Sequence, residues 1–211
     1  MIPIMHRIKN LSVLAKHFFF SYSPINQFLW RYLEMKHIIL AFTAFSLLFS
    51  VSAIAGEQKS DELLALPSED YRLDWSHVGS VSVVDSEAPG FGFHDVYAKK
   101  ENIEAFKKNG VFPDGTKLIK EVRALHTNEQ TTGTANSAGD INVWFVMVKD
   151  STAQYEKSSK HWANGWGWAL YKADNPKVNV SASAEETCIA CHTPAENTDW
   201  VYTGIYPSLK K

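Results

Sequence analysis

Sulfur is scarce in this sequence: its 211 residues include two cysteines and four methionines. A framework of several disulfides is therefore excluded, and so is a zinc site closed by two separate thiol pairs. Charge imbalance is also missing, because 21 basic and 23 acidic residues leave a formal net charge of −2. No basic field is present to hold a polyanion, so nucleic acid is not an expected partner. Long apolar runs are absent too. The run from Ile38 to Phe49 falls short of the ~20 residues that a membrane-spanning helix requires, and Thr43 and Ser46 interrupt it.

That short run has a different use. From Met35 the chain reads MKHIILAFTAFSLLFSVSAIAGEQK, with a basic start at Lys36, an apolar middle, and Ala53-Ile54-Ala55 ahead of Gly56. This is the build of a secretory signal peptide. We expect a signal peptide at 35–55, cleaved after Ala55, and no stable membrane span once it is removed. Residues 1–34 precede a ready start at Met35 and are expected to be an upstream extension. Residues 56–211 are expected to form a single domain in an oxidising compartment outside the cytoplasm.

Both cysteines lie in TCIACHTPAE, Thr187 to Glu196. A disulfide between Cys188 and Cys191 would close a very small loop and staple nothing distant. A thioredoxin-like redox pair belongs near the start of a βαβ unit, whereas this pair lies about twenty residues from the C-terminus. Covalent haem attachment uses every residue of Cys-x-x-Cys-His: two thiols one helical turn apart add to the two vinyl groups of a porphyrin, and His192 becomes the axial iron ligand. One covalently attached haem c, with its iron on His192, is the expected cofactor.

After residue 55 the sole methionine is Met147, inside INVWFVMVKD (Ile141 to Asp150). That stretch reads as a buried strand, so Met147 is expected in the core and not on the iron. His77, His94, His126 and His161 are each isolated. The iron is therefore expected to keep an open distal position, which implies binding or chemistry beyond electron transfer.

FHDVYA (Phe93 to Ala98), GTKLIKEVRALHT (Gly115 to Thr127), INVWFVMVKD and GWGWALYKA (Gly165 to Ala173) read as strands, with PDG and TTGTANSAGD as turns between them. KENIEAFKKNG carries Ile103 and Phe106 on one face and Gly110 as a cap; AQYEKSSKHWANG is a second helix candidate. The expected class is mainly β with some α (α+β): an antiparallel sheet domain, a few short helices, and the haem segment at its C-terminal end. A four-helix haem bundle does not match this pattern.

The order FPDGTKLIKEV, a strand ending VKDS, GWGWALY, CIACH and TDWVYTGIYPSL resembles the cytochrome P-460 family, from about Tyr71 to Leu209. The resemblance implies a periplasmic, β-rich monohaem protein with five-coordinate iron, expected as a homodimer and served by a periplasmic redox partner. The family includes hydroxylamine-oxidising cytochromes P-460, with a lysine joined to the porphyrin, and cytochromes c′-beta, which bind nitric oxide without that link.

The lysine position matches Lys120. Alternation puts Leu118, Lys120, Val122 and Ala124 on one face of that strand, with Lys117, Glu121 and Arg123 on the other. Lys120 is then the one charge on an apolar side, either touching haem or escaping to water at a sheet edge. Where the oxidisers carry a glutamate this chain has Phe145, either a cap over the iron or a core residue. His94 matches a position where family members can carry a basic distal residue; the alternative is a structural histidine. Trp162, Trp166, Trp168 and Trp200 either wall the porphyrin or pack the core. Three functions follow as expectations: a hydroxylamine or nitric oxide oxidoreductase with Lys120 and His94 as catalytic groups, a non-catalytic nitric oxide binder, or an electron-transfer protein.

Overall fold

The computed structural model describes residues 59–210; the expected upstream extension at 1–34 and signal peptide at 35–55 lie outside the described residues. Seven antiparallel strands form one sheet: β1 (Ser76–Val83), β2 (Gly92–Ala98), β3 (Lys117–Gln130), β4 (Gly133–Lys149), β5 (Trp162–Ala163), β6 (Trp166–Lys172) and β7 (Asn175–Asn179). Their order is β1-β2-β3-β4-β6-β5, and β7 pairs with β6. Helices α1 (Tyr71–Asp74) and α2 (Lys100–Asn109) accompany them, with shorter helical turns elsewhere. The domain is mainly β with few short helices, as the residue pattern predicts. No helix among the described residues is long and apolar enough to cross a membrane.

Burial alternates strictly along β2, whereas β3, β4 and β6 are buried on both faces in their central parts. Along β2, Gly92, His94, Val96 and Ala98 are buried, while Phe93, Asp95 and Tyr97 between them are only partly so. One face of the sheet meets α2 and the C-terminal segment in a core that includes Val96, Leu118, Met147, Trp166, Trp168 and Cys188. The other face packs Val146, Val148, Ala169 and Tyr171 against Leu64 and Trp162. In α2, Ile103 and Phe106 face the core as expected. Gly110 ends the helix at φ 82°, its N–H donating to the Phe106 carbonyl at 2.7 Å. Only glycine takes that left-handed position at little cost.

Two expectations about local structure are corrected. TTGTANSAGD is not a long turn: Thr131 and Thr132 make the turn, and Gly133 to Asp140 are the start of β4, paired with the far end of β3. Backbone pairing holds this polar hairpin, so the alternation that marks a half-buried strand was never present. AQYEKSSKHWANG is not a helix either. Its turns are tied down by Asp150, whose carboxylate accepts from Tyr155 N–H (3.1 Å) and Thr152 Oγ1 (3.1 Å). Ala153 and Asn164 sit at φ 53° and 57°, outside any right-handed helix.

The face of β3 opposite Lys120 is not a solvated face. Glu121 is fully buried there, accepting from the Tyr71 hydroxyl and paired with Arg72 and Arg123. Helix α1 thus closes over the back of the sheet by supplying partners for one buried carboxylate. Trp144 Nε1 donates to the Tyr71 hydroxyl at 2.8 Å and extends the network. Burial and the neighbouring carboxylate raise the Tyr71 phenol well above its usual range.

Gly92 sits at φ 134°, where a Cβ would come within 2.6 Å of the Arg123 carbonyl oxygen on β3. That oxygen belongs to the sheet and cannot swing aside. Gly92→Ala is therefore expected to destabilise the domain by about 1–3 kcal/mol. The readout is a lower urea midpoint at unchanged m-value; an unchanged midpoint would mean that the β2–β3 approach yields freely.

Candidate functional site

The cysteine segment is a run of short helical turns: a π-type turn at Glu185–Ile189, an α turn at Ala190–His192 and a 3-10 turn at Thr193–Thr198. Helical spacing puts Cys188 and Cys191 about one turn apart. Both thiols are free and both line a cavity of about 430 Å3. Cys188 is buried in the core beside it. Burial pushes the Cys188 thiol up to about 11, against a smaller pull from Lys120. It stands as a neutral thiol at pH 7, not as the thiolate a bare metal ion prefers.

His192 lies on the same cavity. Its Nδ1 is 2.7 Å from the Trp200 carbonyl oxygen. A carbonyl only accepts, so Nδ1 carries the proton and Nε2 keeps a lone pair. The Trp168 ring meets the imidazole edge-on at 4.8 Å and the Tyr202 ring lies 5.9 Å away. Burial pushes the His192 pKa down to about 4, with the Trp200 carbonyl opposing and the Lys120 charge adding. The imidazole is neutral at pH 7, the form that ligates metal.

The sheet forms the facing wall, and its register orders the residues in rows. Ala98, Leu118, Met147 and Trp168 make one row; Val96, Lys120 and Phe145 the next; His94, Val122 and Val143 the third. Facing residues along a strand are ~7 Å apart, so His94 is about 14 Å along the wall from the Trp168 row that touches His192. Lys120 lies between them. Its Nζ sits 4.5 Å from the centre of the Phe145 ring. Burial lowers its pKa below the usual lysine range, against the pull of Cys191 and Cys188. The His94 pKa is also lowered, first by burial and then by the Lys120 charge. Its Nε2 lies 2.7 Å from the Gly90 carbonyl oxygen. Lys120 is thus within electrostatic reach of both thiols and both imidazoles on the cavity.

A family model described as Cytochrome P460 matches residues 68–203. The chain belongs to the cytochrome P460 family. No curated protein matches the chain. As a cytochrome P460 family member it is a c-type haem protein with iron, and the cavity fits that cofactor. Two free thiols and a neutral imidazole open onto one pocket, and the sheet-side wall is mostly apolar. Among the described residues no three His, Cys, Asp or Glu side chains are placed to hold a bare metal ion. Cys188 and Cys191 could form the two thioether links, and His192 Nε2 could take the iron.

All six site residues singled out in the sequence, His94, Lys120, Phe145, Cys188, Cys191 and His192, line this one cavity. Lys120 does not escape at a sheet edge, because β3 lies between β2 and β4. Met147 is buried in the core and borders the cavity. Of the four tryptophans, Trp168 walls the cavity; Trp166 packs in the core on Phe112, Trp162 in the core of the opposite face, and Trp200 is partly buried. His77, His126 and His161 are elsewhere: His161, for example, is held by Asp61 at 3.2 Å. Tyr202 and Tyr206 also border the cavity and were not anticipated. The quoted TDWVYTGIYPSL contained both, but nothing in residue spacing says which aromatic of a loop faces inward.

Proposed function

We propose that residues 56–211 act outside the cytoplasm, after removal of the signal peptide at 35–55, as a haem c protein that binds nitric oxide at an open iron position. One observation carries this reading: among the described residues lining the cavity there is no Asp or Glu, and the sheet wall beyond the Trp168 row is Phe145, Lys120, His94 and aliphatic side chains. Bound haem would supply one vacant coordination position for a small ligand and a one-electron change of charge. His192 would hold the iron, its ring fixed by the Trp200 carbonyl and Trp168. Phe145 keeps the space small and dry, which favours an uncharged diatomic over water. Hydroxylamine oxidation needs groups that take protons as electrons leave nitrogen, and a carboxylate is the usual one. His94, kept neutral and tied through Nε2 to Gly90, is the nearest substitute.

A second reading is favoured by Lys120. Its amine lies against the cavity with lowered pKa and no acidic side chain among the cavity's described lining residues. A neutral amine is a nucleophile, so Lys120 could be joined to a porphyrin carbon, provided an oxidant such as a peroxide takes up the two electrons and two protons released as the N–H and C–H bonds are replaced by C–N. The protein would then be read as a hydroxylamine oxidoreductase. Lys120→Leu separates the two. The nitric oxide reading predicts a ferrous Soret band that coincides with wild type, and covalent haem retained on Cys188 and Cys191. A strongly red-shifted wild-type band that returns to the ordinary c-haem position in Lys120→Leu would establish the link and make the oxidoreductase reading the better one.

A further inference from the structure

The Trp200 carbonyl that accepts from His192 is displayed by an unusual piece of backbone. Asp199 and Trp200 are consecutive non-glycine residues in the left-handed region, at φ 58° and 62°. They end the 3-10 turn Thr193–Thr198 and reverse the chain, so that Trp200 N–H reaches back to the Ala195 carbonyl at 2.9 Å while its own carbonyl faces His192. Such a pair persists only where its surroundings over-determine it.

A buried ion pair supplies that constraint. Lys149 Nζ bonds Asp199 Oδ1 at 2.6 Å, and both side chains are 8% exposed. The other carboxylate oxygen, Oδ2, accepts from Phe112 N–H at 2.9 Å. The ammonium also lies 4.9 Å from the ring centre of Trp166, which is fully buried. Lys149 is itself fixed as the last residue of β4, its N–H donating to the Thr116 carbonyl at 2.9 Å. On β4 it follows Phe145 and Met147 at the alternate positions that face the cavity side.

We propose that Lys149 and Asp199 are positioning residues for the haem iron: their ion pair locks the left-handed turn, the turn aims the Trp200 carbonyl, and the carbonyl sets the electron donation of His192. A firm hydrogen bond at Nδ1 makes the imidazole a stronger donor, which tightens the iron bond and favours the ferric state. Because β4 also carries Phe145, one strand fixes both the wall of the ligand pocket and the strength of the proximal bond. The inference rests on His192 being the axial ligand.

The test uses the holoprotein. In the ferrous form, resonance Raman gives the iron–histidine stretch, and a redox titration gives the reduction potential. Lys149→Met and Asp199→Asn are each expected to lower the stretching frequency and raise the potential. Asparagine tolerates the left-handed backbone, so Asp199→Asn removes the charge while keeping the turn's preference. The double variant is expected to shift no further than either single one, since both remove the same tie. If Lys149→Met does not fold, Asp199→Asn gives the reading alone. Unmoved frequency and potential in the variants, or single shifts that simply add in the double, overturn the inference. A wild-type ferrous protein that is high-spin and five-coordinate yet has no iron–histidine band overturns instead the assignment of His192, which keeps the two failures apart.

Discussion

Replacing Cys188 and Cys191 together with alanine is expected to abolish covalent haem retention and to leave a chain that does not accumulate as folded protein. The reason is the size of what the haem fills. An apolar cavity left empty costs about 24 cal/mol per Å3. For the cavity of about 430 Å3 the upper bound is on the order of 10 kcal/mol, within the usual range of a domain's whole net stability. Water entering the pocket reduces that cost only where polar partners receive it, and much of the lining is aliphatic or aromatic. Cys188 lies inside the same core as Val96, Leu118 and Trp168, so the pocket and the core are lost together. Haem staining of denatured protein and circular dichroism of the soluble fraction check this. A double variant that is folded and cooperative without haem would show that the core stands without its cofactor.

The second large effect concerns Phe145. Its ring stands on the wall row next to the one that touches His192, and Lys120 caps one ring face at 4.5 Å. Overlap of an entering ligand with a well-packed side chain costs about 1–3 kcal/mol, and each ~1.4 kcal/mol taken off a barrier is a factor of ten in rate. Phe145→Ala is thus expected to raise the nitric oxide association rate by roughly ten- to a hundredfold. Truncation also frees the Lys120 amine, which could then reach the iron itself. The measurement is therefore made in the Lys120→Leu background as well, where that route is closed. Association rates equal to wild type in both backgrounds would reduce Phe145 to a core residue.

How much of this was legible in the sequence depended on whether the determinant is local. Cys188, Cys191 and His192 were readable because thioether and axial chemistry demand a fixed spacing within one turn. Lys120 stood out because alternation made it the one charge on an apolar face, and the β2–β3–β4 register brings that face onto the cavity. The strand β2 announced itself by burying alternate residues, and β3, β4 and β6 by runs rich in branched and aromatic side chains that are buried on both faces. Gly133 to Asp140 did not, since that hairpin is held by backbone pairing with β3 and buries little. The Ala153–Gly165 stretch looked helical because its turns depend on the Asp150 side chain rather than on periodicity. Two buried ties, one ionic and one a phenol-to-carboxylate hydrogen bond, were invisible. Lys149 and Asp199 are fifty positions apart, as are Tyr71 and Glu121, and no local pattern tells a buried charge from a solvated one.

The most direct test of the account is the absorption spectrum of the ferrous holoprotein, recorded without added ligand and then during titration with nitric oxide. The account predicts a high-spin, five-coordinate spectrum with a Soret band in the ordinary c-haem position, converted by one equivalent of nitric oxide per haem. A low-spin, six-coordinate spectrum that nitric oxide does not change would contradict it, because a protein side chain would then fill the position the cavity is proposed to keep open.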